Sequence, residues 1–239
     1  MLDTLNLENI LFLDIETVPN AANYSKLPAS MKDLWNKKTA NLKKSEEETP
    51  ETLYKRSGIY AEFGKIVCIS VGIVTKGKYA YNFRVKSFFG HDEKKLLKAF
   101  IDLLDTHYNK KDSLLCAHNG KEFDYPFIAR RILINGLKLP SILNITGKKP
   151  WEINHLDTME LWKFGDYKSY TSLNLLAAVF NIPTPKDDID GSQVYSVYYE
   201  EKNLERIVKY CQKDVLTVAQ LLIKYRGEEL IKEKNITIA

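Results

Sequence analysis

The sequence has few of the features that mark several large classes of protein. Its 239 residues contain three cysteines, Cys68, Cys116 and Cys211, and their spacing fits neither a short metal-binding motif nor a disulfide framework. Each lies in an apolar stretch, so we expect buried free thiols in a reducing compartment. The N-terminus lacks a basic leader followed by an apolar run, and no stretch approaches the length of a membrane span. These absences predict a soluble, cytoplasmic protein without a membrane partner.

The sequence also lacks a large excess of charge of one sign. Its 35 lysines and arginines against 31 aspartates and glutamates leave a formal net charge of +4. A nucleic-acid partner is compatible with this balance but not required by it, because clustering of positive charge on one face matters more than the total. Apolar residues make up 44% and charged residues 28%, and the length suffices for a single domain, residues 1–239, with a buried core.

The order of apolar patterns predicts the fold class. Residues 9–18 form a dense apolar run typical of a central strand. Residues 65–74 and 79–83 are two further strands that flank Gly77, which predicts a hairpin. Helices and strands are mixed in the later segments. These are a helix opened by Asp92, a strand at 113–117, a helix between Pro126 and Gly136, a strand and short helix at 154–161, a helix ending near Phe180, and a long helix at 204–225. This order predicts an α/β fold with a mixed central sheet flanked by helices.

One segment, at about residues 19–64, interrupts this pattern. It contains Pro28 and Pro50, a charged run at 43–48, and weak apolar periodicity. We expect an irregular, charged and solvated insertion with one or two short helices, whose basic residues balance its acidic ones.

Asp14 and Glu16 are unusual because both lie inside the apolar run of the first strand. Residues two apart on a strand point to the same face, so their carboxylates are neighbours. Burying such like charges costs several kcal/mol per ion, in order of magnitude, unless something compensates them. A divalent cation such as Mg²⁺, which prefers carboxylate oxygen, would do so. The alternative places the pair at a frayed strand end, facing solvent or capping the next element.

Three more residues suit the same site. Asp124 stands just before Pro126, at a helix start, where its alternative role is capping that helix or interacting favourably with its dipole. Tyr210 and Asp214 are four apart on the last helix and therefore lie one turn apart, on the flank of its apolar face. Their alternative role is that of an ordinary pair at the boundary of the core. His118, a lone histidine after a buried strand, is interpreted as a structural, hydrogen-bonded residue.

Together these residues carry a resemblance. The stretches Leu-Asp-Ile-Glu-Thr at 13–17, Asn-Gly-Lys-Glu-Phe-Asp at 119–124 and Tyr-Cys-Gln-Lys-Asp at 210–214 resemble the motifs of the DEDD 3′→5′ exonuclease superfamily, in its tyrosine subclass. Residues 157–162 and 188–194 bring the sequence closest to the proofreading exonuclease domain of family-B DNA polymerases. The resemblance runs from about residue 9 to residue 225. It leaves no room for a polymerase and implies a stand-alone exonuclease.

The resemblance implies an RNase H-like fold and a two-metal site for Mg²⁺ or Mn²⁺. The implied ligands are Asp14, Glu16, Asp124 and Asp214, with Asp14 bridging both ions. Tyr210 is the implied orienting group for the attacking water, because a phenol titrates too high to act readily as a base. The implied substrate is nucleic acid with a free 3′ end, with single-stranded DNA favoured, and the products are nucleoside 5′-monophosphates. Any separate polymerase or repair partner stays open.

The implied substrate contacts are less direct. Asn119, Phe123 and Ser192, with Gln193 beside it, are expected to contact the terminal nucleotide. Phe123 is equally suited to anchor the start of its helix. Lys163 and Lys168 could attract the phosphate backbone, although solvated surface lysines are the simpler interpretation.

Two other functions are compatible with parts of the sequence. Asp14-Ile-Glu16-Thr17 loosely resembles the nucleophile loop of haloacid-dehalogenase-type phosphatases, with 186–188 as a later Lys and acid pair. That family has a second aspartate where Glu16 stands, and it leaves Asp124 and Asp214 without a role. An inactive nucleic-acid-binding module on the nuclease fold is the other alternative, and the presence of all four carboxylates argues against it.

Overall fold

A mixed six-stranded sheet forms the centre of the computed structural model, which describes residues 2–42, 45, 47–166, 168, 170–183 and 189–239. The spatial order is β5-β4-β1-β2-β3-β6. The strands are β1 (Ile10–Pro19), β2 (Gly64–Lys76), β3 (Tyr81–Phe89), β4 (Leu114–Ala117), β5 (Leu156–Asp157) and β6 (Ile236–Ile238). β2 is antiparallel to β1 and β3, whereas β4, β5 and β6 pair in parallel with their neighbours. β2 thus runs opposite to the other strands, and this arrangement confirms the predicted α/β, RNase H-like fold.

Helices cover both faces of the sheet. They are α1 (Ala29–Ala40), α2 (Pro50–Leu53), α3 (Glu93–His107), α4 (Asp124–Ile134), α5 (Thr158–Lys163), α6 (Leu173–Val179), α7 (Val194–Tyr199) and α8 (Leu204–Tyr225). Side chains of α3 and α4 form one core with one face of the sheet, while α7 and α8 pack on the opposite face. The sheet is therefore the middle layer of three.

The alternation along β1 determines where the two acids point. Leu11, Leu13 and Ile15 pack into the core shared with α3 and α4. The residues between them face the other way: Phe12 and Val18 join the cores formed with α8 and α7. Asp14 and Glu16 belong to this second row, because side chains alternate between faces along a strand. Both acids therefore face the layer that contains α8.

Most of the predicted elements are present with their expected signals. Asp92 caps α3 by accepting a hydrogen bond from the Lys95 N–H at 3.0 Å. Gly136 follows α4 with a φ of +66°, in the left-handed region that glycine adopts without strain. α8 has the predicted limits, and the hairpin of β2 and β3 is confirmed, although β3 begins two residues later than expected and continues to Phe89. α7 and β6 were not predicted, since both are short and lack a clear apolar period.

The segment at 19–64 has a core of its own. One or two short helices were expected here, and the structure has the 12-residue α1 and the short α2, followed by a 3₁₀ helix at Tyr54–Ile59. Its buried residues, mostly aromatic, are Leu27, Trp35, Leu53, Tyr54 and Phe63. The Trp35 indole N–H donates to the carbonyl of Pro50 at 2.7 Å, which satisfies its polar edge. The expectation of a merely solvated segment missed this core; Lys43, Lys44 and Glu46 of the charged run lie outside the described residues.

A buried ion pair joins α3 and α4, on the face of the sheet opposite α7 and α8. Arg131 on α4 donates to both carboxylate oxygens of Glu93 on α3, and its third guanidinium nitrogen, Nη1, donates to the carbonyl of Ala61 at 2.7 Å. The Ile66 N–H and the Asn135 amide also donate to Glu93, at 2.7 and 2.9 Å. Because every charge here has a partner, the group can be buried without a large uncompensated desolvation cost.

Candidate metal centre

Asp14 and Glu16 lie side by side near the C-terminal end of β1. Asp14 pairs with Ser70 of β2 and Glu16 pairs with Cys68, and the strand register shifts directly after Glu16. Such an irregularity bends a strand and is common beside active sites. Ligand atoms of Asp14, Glu16 and Cys211 lie within 4.8 Å of one another. Glu16 is only 7% exposed, so the alternative of a solvent-facing strand end is wrong for it.

Asp124 reaches this cluster from the start of α4. It is the first residue of the helix, whose N-cap is Phe123, and it is 3% exposed. Its carboxylate accepts hydrogen bonds from its own backbone N–H and from that of Ile15 on β1. The alternative role of Asp124 as the N-cap is therefore wrong, because Phe123 takes that position. The place of Asp124 in the first turn of α4 agrees with the other alternative, a favourable interaction with the helix dipole.

The third element is α8, which contributes Tyr210 and Asp214. The Tyr210 hydroxyl is hydrogen-bonded to the Asp214 carboxylate, as the one-turn spacing predicted. The charge of Asp214 raises the pKa of Asp14 and Glu16, so it lies within electrostatic range of both. Side chains from three elements distant in sequence thus influence one another electrostatically: Asp14 and Glu16 of β1, Asp124 of α4, and Tyr210 and Asp214 of α8.

Burial and repulsion between neighbouring acids disfavour the charged carboxylates of the cluster, and either a proton or a bound cation relieves this. Burial raises the pKa of Asp14 and Glu16 well above the usual carboxyl range, and the neighbouring carboxylates raise it further. Burial likewise raises the pKa of Asp124 to about 7, against the hydrogen bonds that lower it. Burial and then the charge of Asp214 raise the pKa of Tyr210, so its phenol stays protonated near neutral pH. Carboxylate oxygens crowded in this way fit a hard divalent cation.

Sequence analysis missed two contributors to this site, and Cys211 is the first. Its thiol lies 3.3 Å from Oδ2 of Asp14 and 3.4 Å from the Asp14 carbonyl oxygen. The hydrogen bond that it donates lowers the pKa of Asp14 and so partly offsets burial. All three cysteines are buried and free, as predicted. The signal for its role was its position between Tyr210 and Asp214 on α8.

Asp157 is the second contributor. Its buried carboxylate accepts hydrogen bonds from the backbone N–H groups of Asn119 at 2.9 Å and Lys121 at 3.1 Å. It also accepts from the first turn of α5, at Met159 and Glu160. These bonds hold the turn in which Asn119 adopts a φ of +62° and which leads directly into Asp124. Asp157 therefore fixes the loop that delivers the third acid, although sequence analysis used it only as part of a resemblance.

A cleft of about 600 Å³ opens beside Glu16. Phe123 and Ser192, two of the predicted substrate contacts, line it with Glu16. Ser192 is held by Asp190, whose Oδ1 accepts from its N–H at 2.8 Å and its hydroxyl at 2.6 Å. The cleft is also lined by Lys55, Arg56, Gly58 and Ile59 of the segment at 19–64 and by Tyr195 and Ser196 of α7.

The remaining predicted contacts lie elsewhere. Asn119 does not line the cleft, and its amide donates to the Tyr170 hydroxyl at 2.6 Å. Gln193 accepts from the Asp190 N–H, and Lys163 and Lys168 are outside the cleft lining. His118 bonds to the Thr158 hydroxyl and the Thr171 carbonyl, both at 2.9 Å, which agrees with a structural role. Lys186, Asp187 and Asp188 lie outside the described residues.

Comparison with known proteins assigns a family to this arrangement. Residues 59–230, well over half of the chain, match a family described as a predicted 3′-5′ exonuclease related to the exonuclease domain of PolB. The match includes Asp124, Tyr210 and Asp214, whereas Asp14 and Glu16 precede it. Membership of this family implies action on nucleic acid and the use of divalent metal ions. The carboxylate cluster agrees with the use of such ions.

Two polymerases are similar to parts of the chain. A DNA polymerase of Pyrococcus glycovorans is 22% identical over 142 residues, which are 54% of this chain and 18% of the polymerase. The structure of the family B DNA polymerase of the hyperthermophilic archaeon Pyrobaculum calidifontis aligns with a TM-score of 0.47 and 16% identity, covering 90% of this chain and 24% of the polymerase. This chain therefore spans about a quarter or less of either polymerase. Among the described helices, none has the length and apolar character needed to cross a membrane.

Proposed function

The chain belongs to the family of predicted 3′-5′ exonucleases related to the exonuclease domain of PolB, and we propose that it removes nucleoside 5′-monophosphates from the 3′ end of single-stranded DNA. The reaction is hydrolysis of the terminal phosphodiester bond, and the catalytic residues are the five of the cluster. One observation carries the proposal: ligand atoms of Asp14 and Glu16 lie within 4.8 Å of each other on β1, the charges of Asp124 and Asp214 reach both acids, and Glu16 lines the cleft.

The four carboxylates are the proposed metal ligands. Asp14, Glu16 and Asp214 would hold one Mg²⁺ or Mn²⁺ ion, and Asp14 with Asp124 a second. Two divalent ions held by these residues would supply a nucleophilic water and would stabilise the attacking and leaving oxygens of an in-line displacement. Oxygen ligands of this number and charge suit both ions.

Tyr210 has a separate role in the proposal. Its phenol keeps its proton at neutral pH, because burial and the charge of Asp214 raise its pKa. It therefore orients the attacking water by hydrogen bonding and does not remove its proton. Asp214 fixes the phenol by accepting its hydrogen bond. Tyr210→Phe is accordingly expected to reduce kcat and leave metal binding intact.

The test uses single strands of one sequence, as DNA and as RNA, labelled at either the 3′ or the 5′ end. Each is incubated with Mg²⁺, Mn²⁺ or EDTA, with the parent protein and with Asp14→Asn. The expected result is a ladder that shortens from the 3′ end of DNA, requires a metal and is absent with the variant. Binding without shortening, unchanged in the variant, would instead indicate a binding module on a nuclease fold.

A further inference from the structure

The cleft beside Glu16 has one wall that no part of the proposed catalytic cluster explains. This wall is the 3₁₀ helix Tyr54–Ile59 of the insertion, which presents Lys55, Arg56 and Ile59 to the cleft. The matched family region begins at residue 59, so Lys55 and Arg56 lie outside it. The wall places two cations and one apolar side chain next to a site otherwise rich in acids.

The wall is built against β1 by a close backbone contact. A Cβ on Gly58 would lie 3.0 Å from the carbonyl carbon of Val18 and 3.2 Å from Cδ of Pro19, so only glycine fits without displacement. A Cβ on Gly64 would in turn lie 2.5 Å from the Gly58 carbonyl oxygen. Two glycines thus allow the 3₁₀ helix to lie directly on the strand end that follows Glu16. Its buried anchor is Tyr54, 1% exposed within the aromatic core of the insertion.

The opposite wall is tied to the same insertion. The Tyr195 hydroxyl of α7 donates to the Ala22 carbonyl at 2.5 Å, and the Lys55 ammonium lies 5.1 Å from the centre of the Tyr195 ring. The two walls therefore form one trough that leads to Glu16.

The cations are available to a ligand. The side chains of Lys55 and Arg56 are 63% and 68% exposed, and each makes a surface ion pair, to Glu200 at 3.2 Å and to Glu48 at 4.0 Å. Exposed pairs of this kind are worth about 0–1 kcal/mol, so a phosphate can replace either carboxylate at little cost. Ile59 is 56% exposed, and it lines the cleft with Phe123.

We propose that this wall is the binding surface for the single strand next to its 3′ end. Lys55 and Arg56 contact its phosphates, and Ile59 and Phe123 hold the face of an unpaired base between them. The inference rests on the proposed function, because it assigns the substrate-binding surface of that same site. Phosphates that approach a cluster of carboxylates require compensating positive charge, and apolar side chains offer a base a surface that water does not compete for. A double strand presents no unpaired base to Ile59 and Phe123.

The test is binding of a 5′-fluorescein oligothymidylate, measured by anisotropy in Ca²⁺ at several NaCl concentrations, with strand length verified after each titration. The compared proteins are the parent, Lys55→Gln/Arg56→Gln, Ile59→Ser and the control Lys94→Gln/Lys98→Gln, which removes the same charge from an exposed face of α3. Each phosphate contact contributes a slope of about 0.7 in log Kd against log salt, so losing two weakens binding about 25-fold at 0.1 M salt. The salt slope should fall by about 1.4. Ile59→Ser should weaken binding with an unchanged salt slope.

The outcomes separate this inference from the proposed function. If the parent shortens strands from the 3′ end but the cleft variant binds as tightly as the control, the inference is wrong and the exonuclease assignment stands. Equal weakening in both double variants would also overturn it, since only overall charge would then matter. A parent that neither binds nor shortens any strand would overturn both.

Discussion

Two groups of buried charge lie on opposite faces of the same sheet, and they are built in opposite ways. On one face, Glu93 accepts from Arg131, from Asn135 and from a backbone N–H, and the guanidinium is satisfied in turn by a carbonyl. On the other face, Asp14 and Glu16 have carboxylates and thiols as their main electrostatic neighbours. In the first group, the charge of Glu93 is compensated by a cation of the same fold. In the second group, no such compensation comes from the main neighbours of Asp14 and Glu16, so a proton or a bound cation has to provide it.

This difference separates a structural charge from a functional one. A buried charge that only stabilises a fold is expected to have its partner within the fold, as Glu93 does. Acids whose pKa is raised by burial and by one another make the unliganded fold less stable at neutral pH and are retained where chemistry requires them. The predictions below test whether the two groups respond in opposite directions.

The largest effect is expected for activity when one acid of the cluster is neutralised. Asp14→Asn should reduce the rate of 3′-end shortening by about 10³-fold or more, since the proposed bridging ligand is lost and catalysis by two metals with it. The measurement is the single-turnover rate on a labelled strand. Glu93→Gln is the matched control, because it neutralises a buried acid of the other group; a comparable loss there would mean that folding, and not metal binding, explains the result.

The next largest effect concerns stability, and it has opposite signs in the two groups. Arg131→Met leaves Glu93 buried without its partner and should reduce the free energy of unfolding by about 3–5 kcal/mol. Asp124→Asn removes one of several crowded acids and should raise the stability of the metal-free protein at pH 8 by about 0.5–2 kcal/mol. Urea denaturation in EDTA measures both. If the two variants shifted stability in the same direction, the distinction between the groups would fail.

A smaller loss of activity is expected from the loop that joins the two halves of the site. Asp157→Asn replaces one acceptor oxygen by a donor opposite backbone N–H groups, so the turn before Asp124 should shift. We expect kcat to fall about 10–100-fold, the usual cost of altering a group that orients a metal ligand, with a weaker apparent affinity for the metal. An effect on the melting temperature alone, with kcat and metal affinity unchanged, would show that Asp157 is purely structural.

The smallest effect is a pH dependence of metal stabilisation. In the folded protein the pKa of Asp124 is raised from its ordinary value to about 7. Proton binding at Asp124 therefore stabilises the metal-free protein fully when the pH is below the ordinary pKa, and this stabilisation is lost as the pH rises through 7. A cation competes with that proton. The upward shift in melting temperature caused by Mn²⁺ should therefore be greater at pH 8 than at pH 6, and an equal shift at both would contradict this titration.

Much of this could be predicted from the sequence because the signals were local. The acid pair on β1 followed from the period of a strand, and the juxtaposition of Tyr210 with Asp214 followed from the helical repeat. Contacts between distant segments carried no such signal. The role of Asp157 depends on its meeting a turn almost forty residues earlier, and the core of the insertion depends on Trp35 meeting Phe63 across an aperiodic stretch. The side-chain partner of Asn119 could not be predicted for the same reason, since it is the hydroxyl of the distant Tyr170.

The most direct test of the central claim is a titration of the metal-free protein with Mn²⁺ at pH 8, followed by electron paramagnetic resonance of the free ion. The parent should bind Mn²⁺ at the cluster, Asp14→Asn should lose that binding, and Arg131→Met, as long as it stays folded, should retain it. Equal binding of Mn²⁺ by the parent and by Asp14→Asn would contradict the claim that these carboxylates form a binding site for a divalent cation.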